Sequence, residues 1–436
     1  MSKTNLENSI RDVLEDIPKI CQNVEFEDEL SSTLTKFEFK NSFFTNDREI
    51  KCINFKLLFS NLEFKKNWRN SAAYDDLMNV ITKQSKKFKN LRNNVFSFIP
   101  IYFEHVGKLE FSEKIFLFLF NDFYESVILE NNIYFSPLFK FELPPSTKST
   151  KFGKIELGLI NEFDYKIIKE HHVGKFGNTP GYLYRVNSTI RLRLDANEKN
   201  PDSVAQNLFD KFLYTCHLFD TGNVSYGTIF KNYYYFDPNK PAIISQKTPV
   251  LLNPTFNVYS VTKFKKFFVR FDEIDFNDFQ LEFLLVAIKK FSSSITKTEP
   301  VDKIIDLFIT LEALFSSPGE TSFKIAFRAA LFLGTDEEEY ENILKFIQPL
   351  YALRNDILHG KKLVDEQDLF QLEEFEKLLR KSILGFLKIH TYYKTNKDSF
   401  SKNKTFKKYV LDYLDKGLIN RNYLEPLRKH TQKKSI

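Results

Sequence analysis

The hydrophobic pattern of this chain changes period near Asp275, and that change restricts the fold more than any other feature. From about Leu34 to Arg270 apolar residues mostly alternate with polar ones. Phe37, Phe39 and Phe43 do so, as do Phe55, Leu57 and Phe59, then Ile155–Leu159 and Ile190–Leu194. Successive side chains of a strand point to opposite faces, so a period of two predicts half-buried strands. Helical stretches interrupt the pattern near Tyr74–Phe88 and Ser203–Leu218.

After Asp275 the period is helical. The expected helices are Phe276–Phe291, Val301–Phe315, Thr321–Leu333, one running to Leu358, and Glu366–Tyr393. Gly334 and Gly360 stand where left-handed helix stops are expected. Thr335 and Glu338 have the spacing of a capping box, and Pro349 predicts a kink or break. The fold class is therefore α+β. A strand-rich mixed part, residues 1–272, precedes a helical bundle at 273–395 and a basic, partly helical extension at 396–436.

A chain of 436 residues has room for two or three domains. Its 48 phenylalanines and 20 tyrosines are read as core material. The net charge of +6 suits a nucleic-acid partner, but 57 acidic residues nearly balance 63 basic ones, so charge alone decides little. Cys21, Cys52 and Cys216 are far apart and form no metal-binding pair, which fits a reducing cytoplasm. Residues Met1–Ile20 carry four carboxylates and no apolar signal region. Apolar runs such as Ile115–Phe120 are too short to span a bilayer. The expectation is a soluble cytoplasmic protein with no membrane partner, metal or cofactor.

Two charges fall where helical periodicity puts apolar side chains. At about 100° per residue, Val301, Ile304, Ile305, Phe308, Leu311 and Phe315 share a stripe that also contains Glu312. Tyr340, Ile343, Leu344, Ile347, Leu350, Tyr351 and Leu358 share another, and Arg354 falls inside it. A buried charge needs a partner or a ligand. The simplest arrangement has Glu312 and Arg354 meeting inside the bundle, as a register-fixing ion pair or as part of a site. Gly360 ends the helix and leaves His359 at its rim, where an imidazole can exchange protons near neutral pH. A guanidinium for phosphate charge beside a proton-transfer group is the equipment RNA cleavage needs.

These residues resemble the HEPN superfamily, specifically its ApeA-like C-terminal group, over Phe279–Tyr393. The resemblance rests on Ile305–Phe315 (IDLFITLEALF), Phe327–Gly334 (FRAALFLG) and Tyr351–Gly360 (YALRNDILHG) in that order. It implies an all-helical domain that pairs as a homodimer and cleaves RNA without metal, leaving a 2′,3′-cyclic phosphate. It further implies that Arg354 stabilises the scissile phosphate and His359 transfers the proton. Asn355 would orient the site, and Glu312 would support the arginine. Such domains recur in toxin and antiviral systems beside a sensing module, so an unidentified trigger ligand or protein is implied as well. The alternative is a non-catalytic dimerisation or nucleic-acid-binding module in which Arg354 and Glu312 are structural.

Other candidates are weaker. His171 and His172 precede a Gly174–Gly177 loop without metal-ligand or phosphate-loop spacing, and a surface loop is the plainer reading. Arg191 and Arg193 share one strand face, and Lys265 and Lys266 belong to Lys263–Phe268, which mixes base and aromatic. Such strands can stack bases and hold phosphates, though a solvated face opposite a phenylalanine core is the plainer reading. The basic tail Arg421–Lys434 could follow an RNA backbone, and Cys216–His217 reads as core.

Overall fold

The computed structural model describes residues 3–21, 62–84, 91–106, 109–129, 131–144, 147, 149–160, 164, 168, 188–231, 242–245, 256–258, 260–362, 364–395, 405–425 and 427–428. The candidate strands around Phe37–Phe43 and Phe55–Phe59, His171–His172 and the loop from Gly174 lie outside the described residues.

The chain opens with helices: α1 (Lys3–Cys21), α2 (Leu62–Arg69), α3 (Ala72–Gln84), α4 (Leu91–Val106) and α5 (Glu113–Phe123). In α1 the residues Leu6, Ile10, Val13, Leu14 and Ile17 recur at helical spacing and are fully buried. α4 and α5 add Phe98, Phe103, Phe116 and Phe120 to the same core. α3 is the helical stretch expected near Tyr74–Phe88, whereas α1, α2, α4 and α5 were not anticipated in a strand-rich part. In α5 the residues Ile115–Phe120 are all apolar, which hides a period of 3.6 behind a continuous run.

The strands follow: β1 (Asn132–Phe139), β2 (Phe141–Glu142), β3 (Ser149–Phe152), β4 (Ile155–Leu159), β5 (Ser188–Leu194), β6 (Ser225–Tyr226), β7 (Ile229–Lys231), β8 (Ala242–Ser245) and β9 (Phe256–Asn257). Seven form an antiparallel sheet in the order β3-β4-β5-β1-β7-β8, with β6 also on β1. β2 and β9 make a separate parallel pair. Tyr134 on β1 faces Leu192 on β5, and Phe135 faces Arg191. Phe135, Phe139 and Phe230 pack on the opening helices. Tyr134, Leu138, Ile190 and Leu192 pack the other way, against α6 (Pro201–Phe219) and α7 (Val261–Asp272). Both faces are thus covered, and the fold class is α+β as the periods predict.

Helical period begins earlier than expected. Lys263–Phe268 lies on α7 and not on a strand. Phe264, Phe267, Phe268 and Phe271 repeat at helical spacing and are buried, and the Ser260 hydroxyl accepts from the Lys263 N–H at the N-cap. Phe267 and Phe271 belong to the core of the bundle.

That bundle comprises α8 (Glu282–Ile295), α9 (Pro300–Phe315), α10 (Ser322–Leu333), α11 (Glu337–Leu358), α12 (Glu366–Thr395) and α13 (Phe406–Ile419). Leu284, Leu307, Leu311, Ala329, Ile347, Phe386 and Val410 share one core, so α13 is part of the bundle's packing. α11 runs unbroken through Pro349. Its cap is one residue later than expected: Asp336 accepts from the Glu339 N–H at 2.8 Å, and the Glu339 carboxylate accepts from the Thr335 N–H at 3.0 Å. No described helix is long and apolar enough to cross a membrane.

Gly360 has φ +67°, the left-handed stop expected of it. Gly334 does not: its φ is −70°. What excludes a side chain there is proximity, since a Cβ would lie 2.8 Å from the Tyr340 Cα and 2.9 Å from the Ala330 carbonyl oxygen. Gly334→Ala should therefore destabilise the fold by about 2 kcal/mol, the scale of an overpacked core, as read by chemical denaturation.

Candidate active site

α9 and α11 pack so that Phe308, buried on α9, becomes a platform for two residues of α11. The Tyr351 ring lies 4.6 Å from it, centroid to centroid, and the Arg354 guanidinium is 5.6 Å from its centroid. Beside them runs a cleft of about 300 Å³, lined by Glu312, Tyr351, Arg354 and Asn355 together with the Ser316–Ser322 turn and Ile325. Three of the four residues expected at the site therefore share one cleft.

The expected contact between Glu312 and Arg354 takes a different form. Among the described residues, no ion pair or hydrogen bond joins them. Both are half-buried in the cleft wall, and the Arg354 Nε is buried with no hydrogen-bond partner. The Tyr351 hydroxyl is likewise buried and unpartnered. Burial pushes this phenol up; the Glu312 carboxylate pushes it further and Arg354 opposes it. It remains a protonated donor across the physiological range.

His359 stands apart. It caps α11, is exposed, and donates its backbone N–H to the Asn355 carbonyl at 3.0 Å. It is not part of the cleft lining. Five residues along a helix are about 7.5 Å of rise and a turn of roughly 140° away from Arg354, so one protomer does not bring the two side chains together by helix geometry alone.

The turn that closes the cleft depends on a residue to which the sequence reading gave no role. Arg328 on α10 is 2% exposed. It donates to Glu320 on one side and to both oxygens of Asp415 on α13, each at 2.7 Å, and also to the Phe315 carbonyl at 2.8 Å. Glu320 additionally accepts from Lys324 and from the Ser317 N–H, both at 2.7 Å. Burial alone would raise the Glu320 carboxyl, but these donors outweigh it and hold it at about 2. Arg328 sits between Ile325 and Ala329 on an apolar helix, the same signal that singled out Arg354.

The other basic candidates are placed differently from one another. Arg191 is buried against the opening helices, where Asp122 accepts from it at 3.0 Å and Asp164 also binds it. It is not on an open face. Arg193 is 40% exposed and 3.5 Å from Asp122. Lys265 and Lys266 are exposed on α7, but the flanking Phe264, Phe267 and Phe268 are buried in the core, so that face offers charge without a stacking surface. His217 is fully buried, bonded to Ser292 and the Val224 carbonyl, and held by burial at about 4. No described group of three or more histidine, cysteine or carboxylate side chains is arranged to hold a metal ion.

No family model, curated protein or solved structure matches this chain.

Glu320→Gln should lower stability by about 3 kcal/mol near neutral pH, because it removes one partner of a buried charge. The folded carboxyl titrates at about 2 and an ordinary glutamate at 4.5. Its contribution is therefore complete above 4.5 and is lost as pH falls through 2. The stability gap between wild type and variant, followed by denaturation against pH, should close over that interval.

Proposed function

We propose that the chain is a metal-independent endoribonuclease of HEPN type. It would act as a homodimer, with residues 1–272 as a sensing module and 273–395 as the effector. The observation that carries this reading is Arg354. It is half-buried, lacks an ion-pair partner among the described residues, and lines a polar cleft beside Asn355, five residues before an exposed histidine. An arginine kept for structure alone would be sealed against Glu312, as Arg328 is sealed against Glu320 and Asp415.

In the reaction the ribose 2′-oxygen attacks the adjacent phosphorus and loses its proton. The bond to the leaving 5′-oxygen breaks, and that oxygen gains a proton. The products are a 2′,3′-cyclic phosphate and a 5′-hydroxyl end. Arg354 would bind the non-bridging oxygens, where charge accumulates, and His359 would move a proton at the 2′- or 5′-oxygen. Asn355 would hold the phosphate by hydrogen bonds. Pairing two copies would supply the convergence of arginine and histidine that one helix does not. The exposed apolar side chains of Leu358, Leu369 and Phe370, on α11 and α12 around the His359 turn, support such pairing.

Purified full-length protein should cleave RNA in the presence of EDTA. Arg354→Ala and His359→Ala should each reduce the rate at least about 100-fold. His359→Ala should leave folding stability within about 0.5 kcal/mol, because the residue is exposed. No cleavage by wild type, or wild-type rates in both variants, would sink the proposal.

A further inference from the structure

The cleft holds two carboxylates, and only one is engaged. Both oxygens of Glu320 are taken by Arg328, Lys324 and the Ser317 N–H. Among the described residues Glu312 has no side-chain hydrogen bond or ion pair, yet it lines the same space. Arg354 is equally unpaired, and Tyr351, 8% exposed, adds a hydroxyl with no partner. The cleft therefore offers a free anion, a free cation and a buried donor within about 300 Å³, at the lower end of the range for small-molecule sites.

A ligand that satisfies all three must carry an anion at one end and hydrogen-bond donors at the other. A basic peptide side chain would satisfy Glu312 and leave Arg354 facing a like charge. A nucleotide satisfies both, its phosphate meeting Arg354 and its base edge meeting Glu312. A carboxylate has two acceptor oxygens and no donor, so it discriminates among bases. Guanine presents adjacent N1–H and N2–H donors on its Watson–Crick edge. Adenine and cytosine present an amino group next to a ring acceptor, and uracil presents one N–H between two carbonyls. Unpaired RNA bases are read on these edges.

We infer that Glu312 determines base specificity and selects guanine at the nucleotide whose phosphate Arg354 holds. This rests on the nuclease reading of the cleft, and it gives Glu312 a substrate contact in place of a supporting role toward the arginine. Tyr351, fixed on the Phe308 ring, supplies a third contact between the two ends.

Mononucleotides cannot be cleaved, so binding tests the inference separately from catalysis. Calorimetric titration of the full-length protein with GMP, AMP, CMP, UMP and IMP should show GMP bound roughly tenfold or more tightly than each of the others, the discrimination of a bidentate base contact. IMP is informative because it lacks only the 2-amino donor. Glu312→Gln and Glu312→Ala should erase the GMP advantage, and Arg354→Ala should weaken all five ligands together. Equal affinities, no binding by any nucleotide, or a GMP advantage that survives both Glu312 variants would overturn the inference. A guanine preference in a protein that cleaves no RNA would refute the nuclease reading and leave the base site standing.

Discussion

Arg328 is the charge on which the shape of the cleft depends. Its guanidinium is sealed inside the bundle, and each of its edges is taken: Glu320 from the turn after α9, Asp415 from α13, and the Phe315 carbonyl at the end of α9. An ion removed from water is tolerable only when its hydrogen bonds are replaced in full, and here they are. The arrangement fixes the Ser316–Thr321 turn that forms one wall of the cleft. It also makes α13 part of the site's architecture, because without Asp415 one edge of the guanidinium would be buried and bare.

The opposite wall is built on an aromatic platform. Phe308 carries both Tyr351 and Arg354, so two polar side chains are held in place by packing and not by polar partners. Their hydrogen-bonding capacity is left over. Natural interiors pair nearly all such groups, and these two unpaired atoms lie where the proposed nucleotide would meet them.

Much of the bundle was legible because its helices obey one period and end in residues with local reasons to end them. Gly360 needed the left-handed region, and Pro300 starts α9 where a missing N–H does no harm. Of the opening helices only α3 was legible; phenylalanine and other apolar residues fill several faces of α4 and α5 and blur the stripe. Lys263–Phe268 misled in the opposite direction. Its short alternation of base and aromatic resembles a strand, although the spacing of Phe264, Phe267, Phe268 and Phe271 is helical. Gly334 was expected to matter for its dihedral angles and matters for the closeness of Tyr340, which only the packed structure can reveal.

The site residues mark the limit of periodicity as evidence. A charge inside an apolar stripe identifies Arg328, Arg354 and Glu312 equally well, and strand alternation puts Arg191 and Arg193 on one face. Periodicity cannot say which of these charges is sealed, because sealing depends on residues far away in sequence. Arg191 finds Asp122 at the end of α5, and Arg328 finds Asp415 across 87 residues. Arg354 has Glu312 in the same cleft and does not take it. Charges sealed by distant partners explain how the fold closes, while a carboxylate and a guanidinium left open in one cleft suit a ligand with donors at one end and an anion at the other.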